Sequence, residues 1–100
     1  MALTGAQVRQ LRSLAHHLDP VVNVGKAGVA PSVVDQANMA LEAHELIKCS
    51  VQDTSGMDTR DAAHEMAEAC GAEVVQVIGH RFSIYRESTR TDVEHIKLVM

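Results

Sequence analysis

The chain has one hundred residues, nine Lys+Arg against thirteen Asp+Glu, six histidines and a formal charge of −4. Hydrophobic residues make up 46%, which excludes a disordered chain, and the length fits one domain with a modest core. One Phe, one Tyr and no Trp exclude binding by aromatic stacking, and an acidic total argues against a plain electrostatic nucleic-acid binder.

The N-terminus has no charged-then-apolar run of a signal peptide, and no stretch approaches the roughly 18 apolar residues of a membrane span. Cys49 and Cys70 are too sparse for a disulfide framework or a zinc ligand set. The expectation is a reduced, cytoplasmic protein with no cofactor, no metal and no membrane partner.

A first helix is expected over Leu3–Leu18. Thr4 and Gln7 have capping-box spacing, Leu3 and Val8 that of a hydrophobic staple, and Val8, Leu11, Ala15 and Leu18 form an apolar stripe. Arg9, Arg12 and His16 fall on a second stripe about 100° round the helix. Asp19-Pro20 ends the helix, because a residue before proline avoids the helical region.

Val21–Val24 reads as a short strand, stopped by Gly25-Lys26-Ala27-Gly28. A second helix follows to about His44, with Pro31 as its first residue or Ser32 as its cap. Leu46–Val51 alternates as a strand, with Ile47, Cys49 and Val51 on one face and Lys48 and Ser50 on the other. A polar turn around Ser55-Gly56 leads to a third helix over Asp58–Cys70, which Gly71 closes. Its inner stripe is Ala63, Met66, Ala67 and Cys70; Asp61, Glu65 and Glu68 line the opposite face. Val74–Ile78 and Arg81–Arg86 form a hairpin about Gly79-His80.

The order α-β-α-β-α-β-β implies an α/β fold with a mixed four-stranded sheet and three helices. The domain is expected over residues 1–86. Residues 87–100 lose the pattern and read as a C-terminal tail, although Val93, Ile96 and Leu98 could pack.

Catalysis has thin support. His44-Glu45 and His64-Glu65 set acid beside base, but adjacent helical residues diverge and neither pair belongs to a zinc motif. His16-His17 suits a helix C-terminus, and Cys49 alternates inward as a small core residue. Nothing assembles a nucleophile, a base and an oxyanion site, so no enzyme and no small-molecule substrate are expected.

Gly25, Lys26, Ala27 and Gly28 are more informative. A G-x-x-G loop between strand and helix lets backbone amides approach a phosphate, and the following helix offers its positive N-terminus. Lys26 is unfavourable there unless an anion joins it. The four residues alone read equally well as a plain glycine-rich turn.

In this order the chain resembles the CRM domain family (chloroplast RNA splicing and ribosome maturation), in its small stand-alone bacterial YhbY type. The resemblance runs from about Leu3 to Arg86. It is carried by Leu18-Asp19-Pro20-Val21-Val22, Gly25-Lys26-Ala27-Gly28, Ala40 through Lys48, Gln76-Val77-Ile78-Gly79 and Tyr85-Arg86. It implies a fold similar to the C-terminal domain of bacterial translation initiation factor 3. It also implies RNA binding, with ribosomal RNA and precursors of the large ribosomal subunit as partners and the G-x-x-G loop in contact with RNA.

The departure from the family lies in charge. Residues 53–73 hold six acids against Arg60, net −5, so the remainder of the chain is +1. Arg9, Arg12, Arg81 and Arg86 are therefore expected to extend a basic surface around the loop. The alternative is a protein-interaction module whose acidic third helix docks basic ribosomal proteins.

Overall fold

A computed structural model describes residues 3–100. The element order is α1 (Gly5–Ala15), β1 (Pro20–Val24), α2 (Pro31–His44), β2 (Leu46–Val51), α3 (Thr59–Cys70), β3 (Glu73–Ile78) and β4 (Arg81–Tyr85), with a 3₁₀ turn at Asp53–Ser55. The expected α/β fold is present. The sheet order is β1-β2-β4-β3, with β1 parallel to β2 and β4 antiparallel to both its neighbours. β2 and β3 are not adjacent, because the last strand of the hairpin returns between them.

Local chemistry explains the helix boundaries. The Thr4 hydroxyl accepts from the Gln7 N–H while the Gln7 side chain accepts from the Thr4 N–H, so α1 begins with a complete capping box. It ends at Ala15 rather than Leu18. The N–H groups of His17 and Leu18 bond three residues back, to Leu14 and Ala15, and this tightening turns Leu18 out of the apolar stripe. Pro31 is the first residue of α2, and Gly71 closes α3 in the left-handed conformation.

Two apolar clusters sandwich the sheet. On one face Val22, Val24, Ile47, Cys49, Val51, Phe82 and Ile84 meet Ala37 and Leu41 of α2 and Ala62, Ala63, Met66, Ala67 and Cys70 of α3. Burial pushes the Cys49 thiol up to about 12, in keeping with its place in the core. On the other face Leu11 and Ala15 of α1 pack on Leu46, Val75 and Tyr85.

Residues 87–100 form no helix or strand, yet they are docked. Ile96 and Leu98 pack on the α1 cluster. The Gln10 amide donates to Lys97 O at 2.8 Å and accepts from Val99 N–H at 2.8 Å, and Gln7 donates to Val99 O at 3.0 Å. The anchor is Glu45, which is fully buried. Its carboxylate accepts from the N–H groups of Ser88 at 2.7 Å and Ile96 at 2.6 Å, and meets His95 Nδ1 at 2.7 Å.

A second knot lies beside it. Arg86 donates to Asn38 Oδ1 and Cys70 O, both at 2.7 Å, to Asn38 O at 3.3 Å and to Glu42 at 3.0 Å. Glu42 also accepts from the Thr89 N–H and hydroxyl, and its main-chain carbonyl accepts from the Ser88 hydroxyl at 2.6 Å. Arg86, directly after β4, thus ties that strand to the second half of α2 and to the C-terminal end of α3.

Arg86→Ala should cost about 2–3 kcal/mol in denaturant unfolding. That is below the loss expected for a fully buried pair, since the Arg86 and Glu42 side chains keep 22% and 25% exposure.

Docking of residues 87–98 should depend on pH. Burial alone would raise the Glu45 pKa, but the Ser88 and Ile96 N–H groups and His95 outweigh it and hold the carboxyl below its ordinary 4.5. The hydrogen bond to Glu45 is the main force holding His95 above its ordinary 6.5, with Glu87 adding to it. A lowered carboxyl stabilises fully above 4.5 and loses that as pH falls through the lowered value; a raised imidazole stabilises fully below 6.5 and loses that as pH rises through the raised value. The segment is therefore held most tightly between pH 4.5 and 6.5. NMR shifts of the Ser88 and Ile96 amides across pH should show this optimum, and Glu45→Gln should abolish it. An unchanged profile in Glu45→Gln would exclude the carboxylate as the anchor.

Candidate nucleic-acid interface

Three loops converge at one end of the sheet: Gly25–Gly28 after β1, the segment following β2, and the Gly79-His80 hairpin. Gln52 N–H donates to Val24 O at 2.9 Å and Val51 N–H to His80 O at 2.7 Å, which ties the three together. The His80 ring also lies 3.6 Å from the Asp53 carboxylate.

The first of these loops is a tight turn, with Gly28 N–H donating to Gly25 O at 2.9 Å. Gly28 has φ +70°, a conformation that favours glycine. A side chain at Gly25 would press on Gln52 Oε1, 3.3 Å from the added carbon. Lys26 and Ala27 stand exposed at the tip, and Lys26 makes no ion pair or hydrogen bond through its side chain among the described residues.

The turn leads into the N-terminus of α2. Ala30 occupies the cap position and supplies no side-chain acceptor, Pro31 has no N–H, and the first turn carries no acid. The positive end of a 14-residue helix is therefore left without a side-chain counter-charge. Loop and helix together can accept an oxyanion with backbone donors, helix dipole and one free ammonium.

The other expected residues divide. Arg81 opens β4, where it pairs with Ser50 at the loop end of the sheet. It alternates with Phe82, so it faces the α1 side. Arg9 and Arg12 are exposed on α1, which packs on that same face, and Arg12 Nε donates to Val75 O at 2.9 Å. Arg86 stands apart. Its guanidinium is spent on Asn38, Cys70 and Glu42, so the fold uses it and the basic surface does not include it.

Two more residues lie on this face, both legible in the sequence as surface positions but not as part of a site. Lys48 pairs with Ser83, two positions along β2 from Leu46, and His16 follows Arg12 by one helical turn on α1. The alternation of β2 sets Lys48 opposite the core, but its neighbours across the sheet depend on a register that the sequence does not show. The acids Asp61, Glu65 and Glu68 are exposed on α3, which packs on the opposite face of the sheet. These acids and the Lys48 and Arg81 side chains thus lie on opposite faces of the sheet.

Among the described residues, no group of three or more His, Cys, Asp or Glu could hold a metal ion, and no helix is long and apolar enough to cross a membrane.

Comparison with known proteins matches this architecture to one family. Residues 3–86 match the model of the CRS1/YhbY (CRM) domain. The chain is 45% identical over 86 residues to "Probable RNA-binding protein YqeI" of Bacillus subtilis, covering 86% of this chain and 90% of that one. It is 34% identical over 92 residues to a protein of Haemophilus influenzae named "RNA-binding protein", covering 92% and 93%. Among solved structures it resembles the hypothetical protein SAV1595 of Staphylococcus aureus, with a TM-score of 0.73 and 40% identity over 95% of this chain and 100% of that one. With the family model matched over residues 3–86 and a relative 45% identical over 86 residues, the chain belongs to the CRS1/YhbY (CRM) domain family.

Proposed function

We propose that the protein binds RNA, and that it does so as a cytoplasmic assembly factor on precursors of the large ribosomal subunit rather than as an enzyme. The observation that carries this reading is the free Lys26 ammonium on a glycine turn that feeds the uncapped N-terminus of α2. Relatives named as RNA-binding proteins support it.

In this reading a backbone phosphate sits against the Gly25–Gly28 turn. The glycines keep side chains out of its way, the helix end supplies N–H donors, and Lys26 supplies charge. Arg81, Arg12 and Arg9 extend the cationic track along the face that α1 occupies. With the one Tyr buried at 3% exposure and the one Phe at 1%, neither of these rings is offered for stacking. Contacts go to the sugar–phosphate backbone and to RNA shape.

Lys26→Glu should weaken binding to a structured ribosomal RNA fragment and flatten the dependence of log K on log[salt]. Removing one phosphate neutralisation changes that slope by roughly 0.7–0.9. Fluorescence anisotropy over a salt series measures both quantities, and an unchanged slope would remove the loop from the interface. Reversing the charges at Asp61, Glu65 and Glu68 should leave RNA affinity intact. Failure of that variant to associate with ribosomal particles, with Lys26→Glu silent, would favour docking to basic proteins instead.

A further inference from the structure

We propose a second RNA contact on the same molecule: the part of the sheet that α1 leaves uncovered is a pocket for one unpaired nucleotide. The proposal rests on the RNA reading above and extends it from gripping a backbone to selecting an unpaired position in the RNA.

Beyond the end of α1, the sheet carries a hollow of about 280 Å³ lined by His16, Lys48, Gln76, Ile78, Arg81 and Ser83, with Phe82 beneath. The register explains the convergence. Lys48 on β2 and Gln76 on β3 both pair with Ser83 on β4, so the three side chains form one rung across the floor. Arg81 and Ile78 pair on the next rung toward the loop, and His16 closes the hollow from the end of α1.

Ser83 is the telling residue. It is only 2% exposed, it faces the hollow because Phe82 and Ile84 on either side point into the opposite core, and its hydroxyl makes no hydrogen bond among the described residues. The hydroxyl is not sealed in the core: what little of Ser83 is exposed opens into the hollow, so a ligand seated there can take the place of water as its partner. The side chains of Lys48, Gln76 and Arg81 likewise make no hydrogen bond or ion pair among the described residues. The lining holds three basic side chains and no acid.

The chemistry selects the occupant. Lys48, Arg81 and His16 suit a phosphate. Ser83 and Gln76 can each donate and accept, as a base edge requires, and Ile78, 60% exposed, offers an apolar wall to the face of the base. An extended peptide would need main-chain partners, but the floor strands β2 and β4 are bonded on both sides, and a peptide paired to the free edge of β3 would lie beside the hollow rather than in it. Hydrogen bonding and an aliphatic wall also replace the aromatic platform that this chain lacks.

The test is a ¹⁵N NMR titration of the intact protein with an unpaired RNA tetranucleotide, with inorganic phosphate and with a Glu-rich tetrapeptide in parallel. The tetranucleotide should shift the Lys48, Gln76 and Ser83 amides. Ser83→Ala should weaken that binding roughly five- to tenfold, the equivalent of one hydrogen bond to a charged or polar partner. Its thermal midpoint should hold or rise, because the hydroxyl has no partner in the free protein. Lys48→Gln should weaken binding without loss of fold. Shifts confined to the Gly25–Gly28 amides would overturn the nucleotide pocket and leave the RNA reading standing, whereas no shift in either region would overturn both. Equal affinity for phosphate or for the acidic peptide would overturn the nucleotide assignment, as would unchanged tetranucleotide affinity in Ser83→Ala.

Discussion

The backbone of Glu45 is the constraint on which the rest of this molecule depends. It is the only non-glycine among the described residues with positive φ, at +67°, and it lies at the junction where α2 stops and β2 starts without an intervening loop. With ψ −39° it lies outside the left-handed helical region as well, and such a sparsely populated conformation costs on the order of 1–3 kcal/mol. Glycine would satisfy the backbone at lower cost, but the carboxylate would be lost. That carboxylate accepts two main-chain N–H bonds and faces His95, and hydrogen bonds to a charged group contribute roughly 1.5–3 kcal/mol each. The strain is more than offset. The same residue donates its N–H to Leu41 O and accepts from Arg86 N–H, so it closes the helix and extends the β2–β4 pairing at once.

From this junction the open part of the sheet follows. Because β2 begins directly after α2, Leu46 points to the α1 side and Ile47 to the α2–α3 side, and the sheet is committed to two cores. The α2–α3 core is broad. The α1 core is small, since an 11-residue helix is only about 16 Å long and cannot cover four strands. The segment after Ser88, pinned by Glu45, adds Ile96 and Leu98 to this thin layer and braces α1 through Gln7 and Gln10. It extends the cover over the Leu46–Tyr85 end and leaves the Lys48–Ser83–Gln76 rung open, toward the loop end. The incomplete cover is thus a geometric result of a short helix on a wide sheet.

How much of this is legible in the chain varies with range. Capping chemistry at Thr4 and Gln7, the proline at position 31, strict alternation over Leu46–Val51 and the closing Gly71 are local signals, and each locates its element to within a residue or two. The long-range contacts are opaque. Arg86 looks like any surface cation until α2 and α3 bring Asn38, Glu42 and the Cys70 carbonyl to its guanidinium, across 48, 44 and 16 residues. Residues 87–100 have no periodicity because their partners are single side chains rather than a helix or sheet, so nothing in their pattern announces docking. Glu45 is visible only as an acid beside His44. Its role depends on backbone conformation, which a glutamate in a sequence does not advertise.

The net charge of −4 illustrates the same difference between a sum and a surface. Had the acids been spread evenly, some would have stood beside Lys48 and Arg81 and weakened them. Instead α3 carries Asp61, Glu65 and Glu68 on the opposite face of the four-stranded sheet from Lys48 and Arg81. With so few cations on the near face, attraction to a polyanion is weak and is readily screened by salt. In the proposed reading, placement supplies what charge does not: a turn that admits a backbone only where glycine leaves room, and a floor where the Ser83 hydroxyl is free to meet a ligand of the right shape.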